Sequence, residues 1–447
     1  MRLRLPPPFV LLLGAVALAA LATWIVPAGE YARRDDKATG RRVVVAGTYH
    51  AVGASPVGPF GAAVAIPRGF VDAADVIVVV LLVGGAWVIL DRLGTLTRAV
   101  GRAAWRFRRH GLLLIPLVSV IFATLGGLEN MQEEIVALVP VLLLLGRSVG
   151  VDAVTVVSMS AGAAAVGSAF SPINPFQAGI ALKLAQLPPL SGGGLRLAMF
   201  VAGVGLWIAW TLAYASRTRT APLVSAEGNA PAALTVSDQL ALCVALLPMA
   251  AYVYGTLAWG WGFNELSGAF FAGGLLAGLI GGLGLVGTAT VYLEGMQSLL
   301  PAALLIGVAR SITIVLSDGH IIDSLLHGLA TPLGHVPAAT SAFLMIPFHA
   351  LVHVPVPSVS GQAVLTMPVL VPLADLLGLS RQVPVLAYQI GAGLMENLTP
   401  TNGGLMAVLA AASLPYGTWV RFALVGCALC ALMGVVALVL VVAGVAG

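Results

Sequence analysis

Charge is scarce in this sequence: Asp, Glu, Lys and Arg supply 9% of its 447 residues, against about 25% in a soluble globular domain. With 59% hydrophobic residues and a mean hydropathy of +1.01, that shortage excludes a water-soluble fold and predicts an integral membrane protein. Cysteine is nearly absent. Cys243, Cys427 and Cys430 all lie in apolar runs, and an odd number inside a bilayer argues against a disulfide framework. Cys427 and Cys430 have redox spacing, which on a lipid-embedded segment reads as inert packing. Short alternating segments are lacking too, so the spanning elements are expected to be helices and not barrel strands. The net charge of +4 comes largely from one arginine cluster; it reads as topology, and no nucleic-acid partner is expected. What abounds is glycine, 53 residues, as suits membrane helices whose backbones approach closely.

Taken in order, Arg2 and Arg4 precede the apolar run Phe9–Val26. Pro27-Ala28-Gly29-Glu30 is a poor cleavage site, so this run is expected to be a first span with a cytoplasmic N-terminus. A polar region with β-branched pieces (Val43-Val44-Val45) and an amphipathic stretch around Phe60–Ala74 follow. The span Asp75–Leu90 then empties into Arg92, Arg98, Arg102, Arg106, Arg108, Arg109 and His110, which the positive-inside rule places in the cytoplasm. Further spans are expected at Leu195–Ala215, Leu240–Gly260, Leu266–Val286, Leu299–Leu316 and Thr418–Val445.

Four apolar stretches are interrupted. Short arms Leu112–Leu125 and Ile135–Leu145 flank the acidic tip Gly126–Glu134. Each arm falls short of the roughly 20 residues needed to span, so 110–147 reads as a re-entrant hairpin, or alternatively as two spans around a solvated loop. A second hairpin, 337–377, surrounds Pro355–Gln362. The stretch 151–187 is broken at Ser171-Pro172-Ile173-Asn174-Pro175, and 383–413 at Thr399-Pro400-Thr401-Asn402-Gly403-Gly404. Proline in a helix interior removes a donor and forces unwinding, and unwound backbone at membrane depth survives only inside protein or beside water. Anchored on Pro140 and Pro368, the pairs Glu134 and Gln362, Gly150 and Gly378, and Asn174 and Asn402 fall at common offsets. That pattern predicts two inverted repeats, 1–219 and 263–447, separated by a linker and an extra span, 220–262. The expected fold class is an all-α polytopic membrane protein with about nine transmembrane helices, two re-entrant hairpins and two broken helices, its C-terminus outside.

The interruptions hold the candidate functional residues. At the first tip these are Glu129, Asn130, Glu133 and Glu134. A buried ionisable group costs about 3 kcal/mol or more and marks a solute or proton path; the competing reading is a harmless turn in water. Glu129 and Glu133 are spaced to share one helical face. In the breaks, Ser171, Asn174, Thr399, Thr401 and Asn402 offer oxygens for a hard cation, and sodium is placed at Asn174, Thr401 and Asn402; the same groups also satisfy the breaks themselves. Glu396 and Asn397 lie one turn before the second break, with Arg310 as the expected partner of Glu396. Ser358, Ser360 and Gln362 form a neutral second tip. His349 and His353 have metal-helix spacing without the Glu of a zinc-protease motif, so hydrogen bonding near the tip is the expected role. No catalytic constellation stands out, so an intramembrane hydrolase is disfavoured and no enzyme activity is expected.

Gly127-Leu128-Glu129-Asn130-Met131-Gln132-Glu133-Glu134, Ser171–Phe176, Ser360–Pro368 and Thr399–Gly403 together resemble the YfcC-type branch of the C4-dicarboxylate anaerobic carrier family, whose relatives include arginine–ornithine antiporters of the ion transporter superfamily. The resemblance covers nearly the whole chain. It departs at Ala392, where many relatives have Asp, and at Glu396, where an amide is common. It implies a homodimer in the bacterial inner membrane, with a scaffold, a mobile transport domain and an elevator-like movement. The tips and breaks would then hold the solute and a coupling ion, Na⁺ or H⁺, with no resident cofactor. The expected function is secondary transport of a small charged organic solute. A basic amino acid such as arginine or ornithine comes first, because the first tip is acidic, and a C4-dicarboxylate second.

Overall fold

The computed structural model describes residues 6–36, 41–106, 111–188, 190–220, 233–259 and 261–445. Among them, nine helices are long and apolar enough to cross a membrane, and the protein is an all-α polytopic membrane protein. Helix α1 (Pro8–Ile25) starts on a proline, whose missing amide is no loss in a first turn. After it come four short strands, β1 (Gly29–Glu30), β2 (Arg33–Asp36), β3 (Arg41–Val44) and β4 (His50–Ala51), with β1 antiparallel to β4 and β2 to β3. The β-branched Val43 and Val44 are the buried part of that ribbon.

Helices α2 (Pro59–Asp72) and α3 (Ala74–Arg92) meet at Ala73, and α4 (Thr95–Arg106) follows. Of the expected basic cluster, Arg108, Arg109 and His110 lie outside the described residues. Helix α5 (Leu114–Glu129) and α6 (Glu133–Val149) have 16 and 17 residues, longer than their apolar arms. The glycines and Leu128 extend α5, and Glu133 and Glu134 are recruited into the first turn of α6. Helices α7 (Ala153–Val157) and α8 (Ala163–Phe170) are continuous through a π-turn, Ser158–Gly162; α9 (Ala178–Leu184) and α10 (Gly193–Thr218) complete the first half. The expected linker falls mostly on 221–232, outside the described residues. Then come α11 (Val236–Trp259), α12 (Phe263–Ile280), the 35-residue α13 (Gly284–Asp318) and α14 (Ile322–Ala330). The chain ends with α15 (Ala338–His353), α16 (Val359–Leu376), α17 (Gln382–Met395), α18 (Gly403–Ala411) and α19 (Tyr416–Val442).

Helix α13 is the spine of one group, with α1, α2, α3 and α12 packed along it. In the other group α5 lies along α8 and α15 along α17, α10 covers α8 and α19 covers α17, and α8 meets α17 at the centre. The groups touch chiefly where α6 rests on α3 and α18 on α13. Helix α8 and nearly all of α17 are buried, so their polar atoms must find partners within the protein. Exposed apolar side chains instead mark the outer helices, such as Leu18, Leu21 and Trp24 on α1 and Leu432 and Val436 on α19. Those faces suit lipid.

Candidate functional site

The first tip is set by a close approach. A Cβ on Gly126 would lie 2.1 Å from Ala164 O, and one on Gly167 would lie 2.0 Å from Ala123 O, so α5 and α8 touch backbone to backbone only through glycine. Helix α5 then stops at Asn130, which is left-handed with φ 56° and ψ 34°. This stop corrects the expected shared face of Glu129 and Glu133: they belong to different helices. The Glu129 side chain lies outside the described residues. Glu133 and Glu134 occupy the first turn of α6, where the helix dipole favours carboxylates. Glu134 is buried and accepts from Gln132 N at 3.2 Å. Glu133 is half-buried beside Gly404.

The first break is closed by its own polar atoms. Asn174 Nδ2 donates to Gly126 O at 3.0 Å and to Ser168 Oγ at 3.1 Å, while its Oδ1 accepts from Phe176 N and Gln177 N, both at 2.9 Å. Ser171 Oγ donates to Gly127 O at 2.7 Å. Ser168 Oγ donates to Asn130 Oδ1, tying break to tip. The carbonyls released by unwinding, Ala169 O and Ser171 O, accept from Gln389 Nε2 of α17 at 3.1 and 3.3 Å. Gln389 Oε1 in turn accepts from Arg196 Nε at 2.6 Å. Arg196 is 1% exposed. Sequence reasoning missed this bridge, although a lone arginine opening an apolar span was its visible signal.

The second break is more open. Asn402 Oδ1 accepts from Leu405 N at 3.0 Å, capping α18, and its Nδ2 donates to Glu396 Oε2 at 2.6 Å. Glu396 Oε1 lies 3.0 Å from His353 Nε2, an ion-pair distance without hydrogen-bond alignment. The expected partner, Arg310, bonds Asp72 instead, because α13 lies along α2 and presents that residue to its end. Thr401 Oγ1 donates to Val354 O at 2.6 Å, and Asn397 Nδ2 donates to Gly162 O in the π-turn at 3.3 Å. Thr399 Oγ1 is buried without a partner. At the second tip, Ser358 Oγ caps Gly361 N, and Gln362 is buried between the two histidines.

A cavity of about 540 Å³ joins these pieces. Asn130, Glu133, Glu134, Ser358, Ser360, Glu396, Thr401 and Asn402 line it, with Gly403 and Gly404 at the start of α18. Ser171, Asn174, Gln362, Asn397 and Thr399 do not; they lie in the walls behind. The opposite wall comes from Arg310 of α13 and, unanticipated, from Asp72 and Asp75 at the α2–α3 turn and Tyr252 and Trp261 near the α11–α12 turn. Acidic residues punctuating Ala73-Ala74 between two apolar runs were the available signal. Among the described residues, no cluster of three or more His, Cys, Asp and Glu could hold a metal ion.

The sequence matches the family described as C4-dicarboxylate anaerobic carrier over residues 5–443. It is 30% identical to YfcC of Escherichia coli (strain K12), named provisionally as a basic amino acid antiporter, covering 99% of this chain and 96% of that one. An uncharacterized protein of Haemophilus influenzae is 26% identical over 95% of this chain and 94% of its own length. Among solved structures, the YdaH transporter of Alcanivorax borkumensis is 17% identical with a TM-score of 0.44, covering 97% of this chain and 98% of that one. MtrF of Neisseria gonorrhoeae, placed in a class of antimetabolite efflux pumps, is 18% identical with a TM-score of 0.40, covering 99% and 96%.

Proposed function

The chain belongs to the C4-dicarboxylate anaerobic carrier family, a family of membrane transporters, and from that premise we propose that it carries a basic amino acid such as arginine or ornithine. One observation carries the reading. Five carboxylates, those of Asp72, Asp75, Glu133, Glu134 and Glu396, line the cavity against one guanidinium, Arg310, which is already paired with Asp72. A cavity walled by one sign of charge concentrates the opposite sign. The solute's own carboxylate is served by the N-termini of α16 and α18 and by the hydroxyls of Ser358 and Ser360, all at the cavity. The name given to YfcC agrees with this chemistry. A C4-dicarboxylate would find the same helix ends but would meet a wall with more carboxylates than guanidinium groups.

The paired order of packing, α5 on α8 and α15 on α17, supports two inverted repeats. The group built on α5–α10 and α15–α19 is the proposed moving body, sliding past α3 and α13, in a homodimer in the bacterial inner membrane with its N-terminus cytoplasmic. Exchange or coupling to Na⁺ or H⁺ supplies the driving force, the sodium oxygens being those of Thr401 and Asn402 at the cavity; the expected contribution of Asn174 is set aside because its oxygen already accepts from Phe176 N and Gln177 N away from the cavity. The test is direct. Proteoliposomes loaded with ornithine are expected to accumulate labelled arginine and not labelled succinate; the reverse preference overturns the reading.

A further inference from the structure

Resting on the transport reading above, we infer that Glu396 and His353 share a single exchangeable proton, and that this pair is where the carrier loads and releases a coupling proton. Hydrogen-bond direction leads to that pair one atom at a time. Gln362 Nε2 lies 2.8 Å from His349 O. A carbonyl only accepts, so the amide nitrogen must face it and the amide cannot be flipped. Gln362 Oε1 therefore faces His353 Nδ1, at 2.8 Å. An amide oxygen also only accepts, so Nδ1 carries a hydrogen. In a neutral imidazole the other nitrogen is then a bare lone pair.

That nitrogen, Nε2, lies 3.0 Å from Glu396 Oε1. The second carboxylate oxygen is already satisfied by Asn402 Nδ2 at 2.6 Å, and the orientation of Asn402 is fixed because its Oδ1 accepts from Leu405 N. A lone pair facing an ionised oxygen in a site where His353 is fully buried and Glu396 is 6% exposed is repulsive. One proton between them removes the repulsion, whether it is written on the ring or on the carboxyl. The lack of hydrogen-bond alignment leaves it weakly held.

Glu396 lines the cavity and His353 lies behind it, so Glu396 is the member of the pair that meets the solute. Other groups share the neighbourhood. The titratable groups on the elements packed around Glu396 are His349 of α15, Glu133 and Glu134 of α6, Arg310 of α13, and Cys427 of α19, whose thiol is bonded to Leu394 O; Asp72 and Asp75 also line the cavity. A cationic group arriving beside Glu396 replaces the proton's charge. The proton leaves as the solute enters, and the charge in the site balances.

Infrared difference spectra of the purified full-length protein between roughly pH 5 and pH 9 test the pair. The expected spectrum contains a carboxyl or imidazolium band that Glu396→Gln removes; superimposable wild-type and variant spectra overturn the inference. Should Glu396→Gln fail to fold, Gln362→Met decides, since it leaves both partners in place. It is expected to shift the imidazole tautomer bands, and unchanged bands overturn the argument. In proteoliposomes holding a pH-sensitive dye, arginine entry is expected to alkalinise the lumen, and entry without a pH change overturns the coupling role. Vesicles that move no solute refute only the substrate reading, because the infrared result still decides the proton site.

Discussion

The two helix breaks are built alike and tied to different residues. In each, an asparagine oxygen accepts backbone amides at the start of the segment that follows, Asn174 from Phe176 N and Gln177 N ahead of α9 and Asn402 from Leu405 N as the cap of α18, and the amide reaches back to the residue six positions earlier. In the first break that residue is Ser168; in the second it is Glu396. A serine can be satisfied completely by neighbours, and Ser168, Asn130, Gln177 and Asn174 close into a knot shut off from the cavity except at Asn130. A glutamate brings an acidic group, and among the described residues the basic group at ion-pair distance from it is His353. The second break therefore keeps an open valence at the cavity wall. One residue type separates a neutral joint from an acidic one.

That contrast can be broken. Glu396→Ser makes the second break as neutral as the first, and arginine exchange is expected to fall by about a hundredfold or more, as when one partner of a buried charge pair is removed. Asn174→Ala acts on the other side of the comparison. It strips bonds from Gly126 O, Phe176 N and Gln177 N at once, and is expected to cost about 3 kcal/mol of stability, read as a lower thermal midpoint in detergent. Asn402→Ala removes one helix cap, about 1 kcal/mol, and the amide bond to Glu396 Oε2, about 1.5 kcal/mol. It should leave the midpoint nearer wild type while impairing exchange more than Asn174→Ala does; equal effects of the two variants on both measurements would erase the distinction. Glu133→Gln removes one cavity charge and should weaken arginine affinity about tenfold, near 1.4 kcal/mol, with no loss for a neutral solute. Smallest of all, Arg310→Gln frees Asp72, makes the cavity more negative and should tighten arginine binding about threefold at low salt, with the gain fading as salt is raised.

Much of the fold was legible because a proline or asparagine in a long apolar run admits few explanations. Both breaks, both tips and the matched offsets of Gly150 and Gly378 were visible, and these two glycines do take positive φ, 80° and 68°. The site was legible in part, since Glu133, Glu396 and Asn402 stood out as polar groups at depth. What the sequence could not show is partnership across distance. Arg310 finds Asp72 and not Glu396 because α13 runs along α2, and no local pattern encodes that contact. Glu129 and Glu133 looked like neighbours on one helix because spacing alone cannot reveal that Asn130 turns left-handed between them. The pairing of His353 with Glu396 was hidden for a similar reason: proximity to the second tip was readable, while the direction each nitrogen faces was not.

The clamp of Gln389 on the first break has a consequence for how the chain is made. Ala169 O accepts from a side chain 220 residues further along. At about 5–20 residues per second of synthesis, the unwound strand waits roughly ten to forty seconds inside the membrane before that amide exists. During the wait its bare carbonyls need water or an attending insertion factor, because lipid offers no donors. A chain terminated before residue 389 would carry the first half complete in sequence yet unfinished in structure, a ready target for membrane proteases.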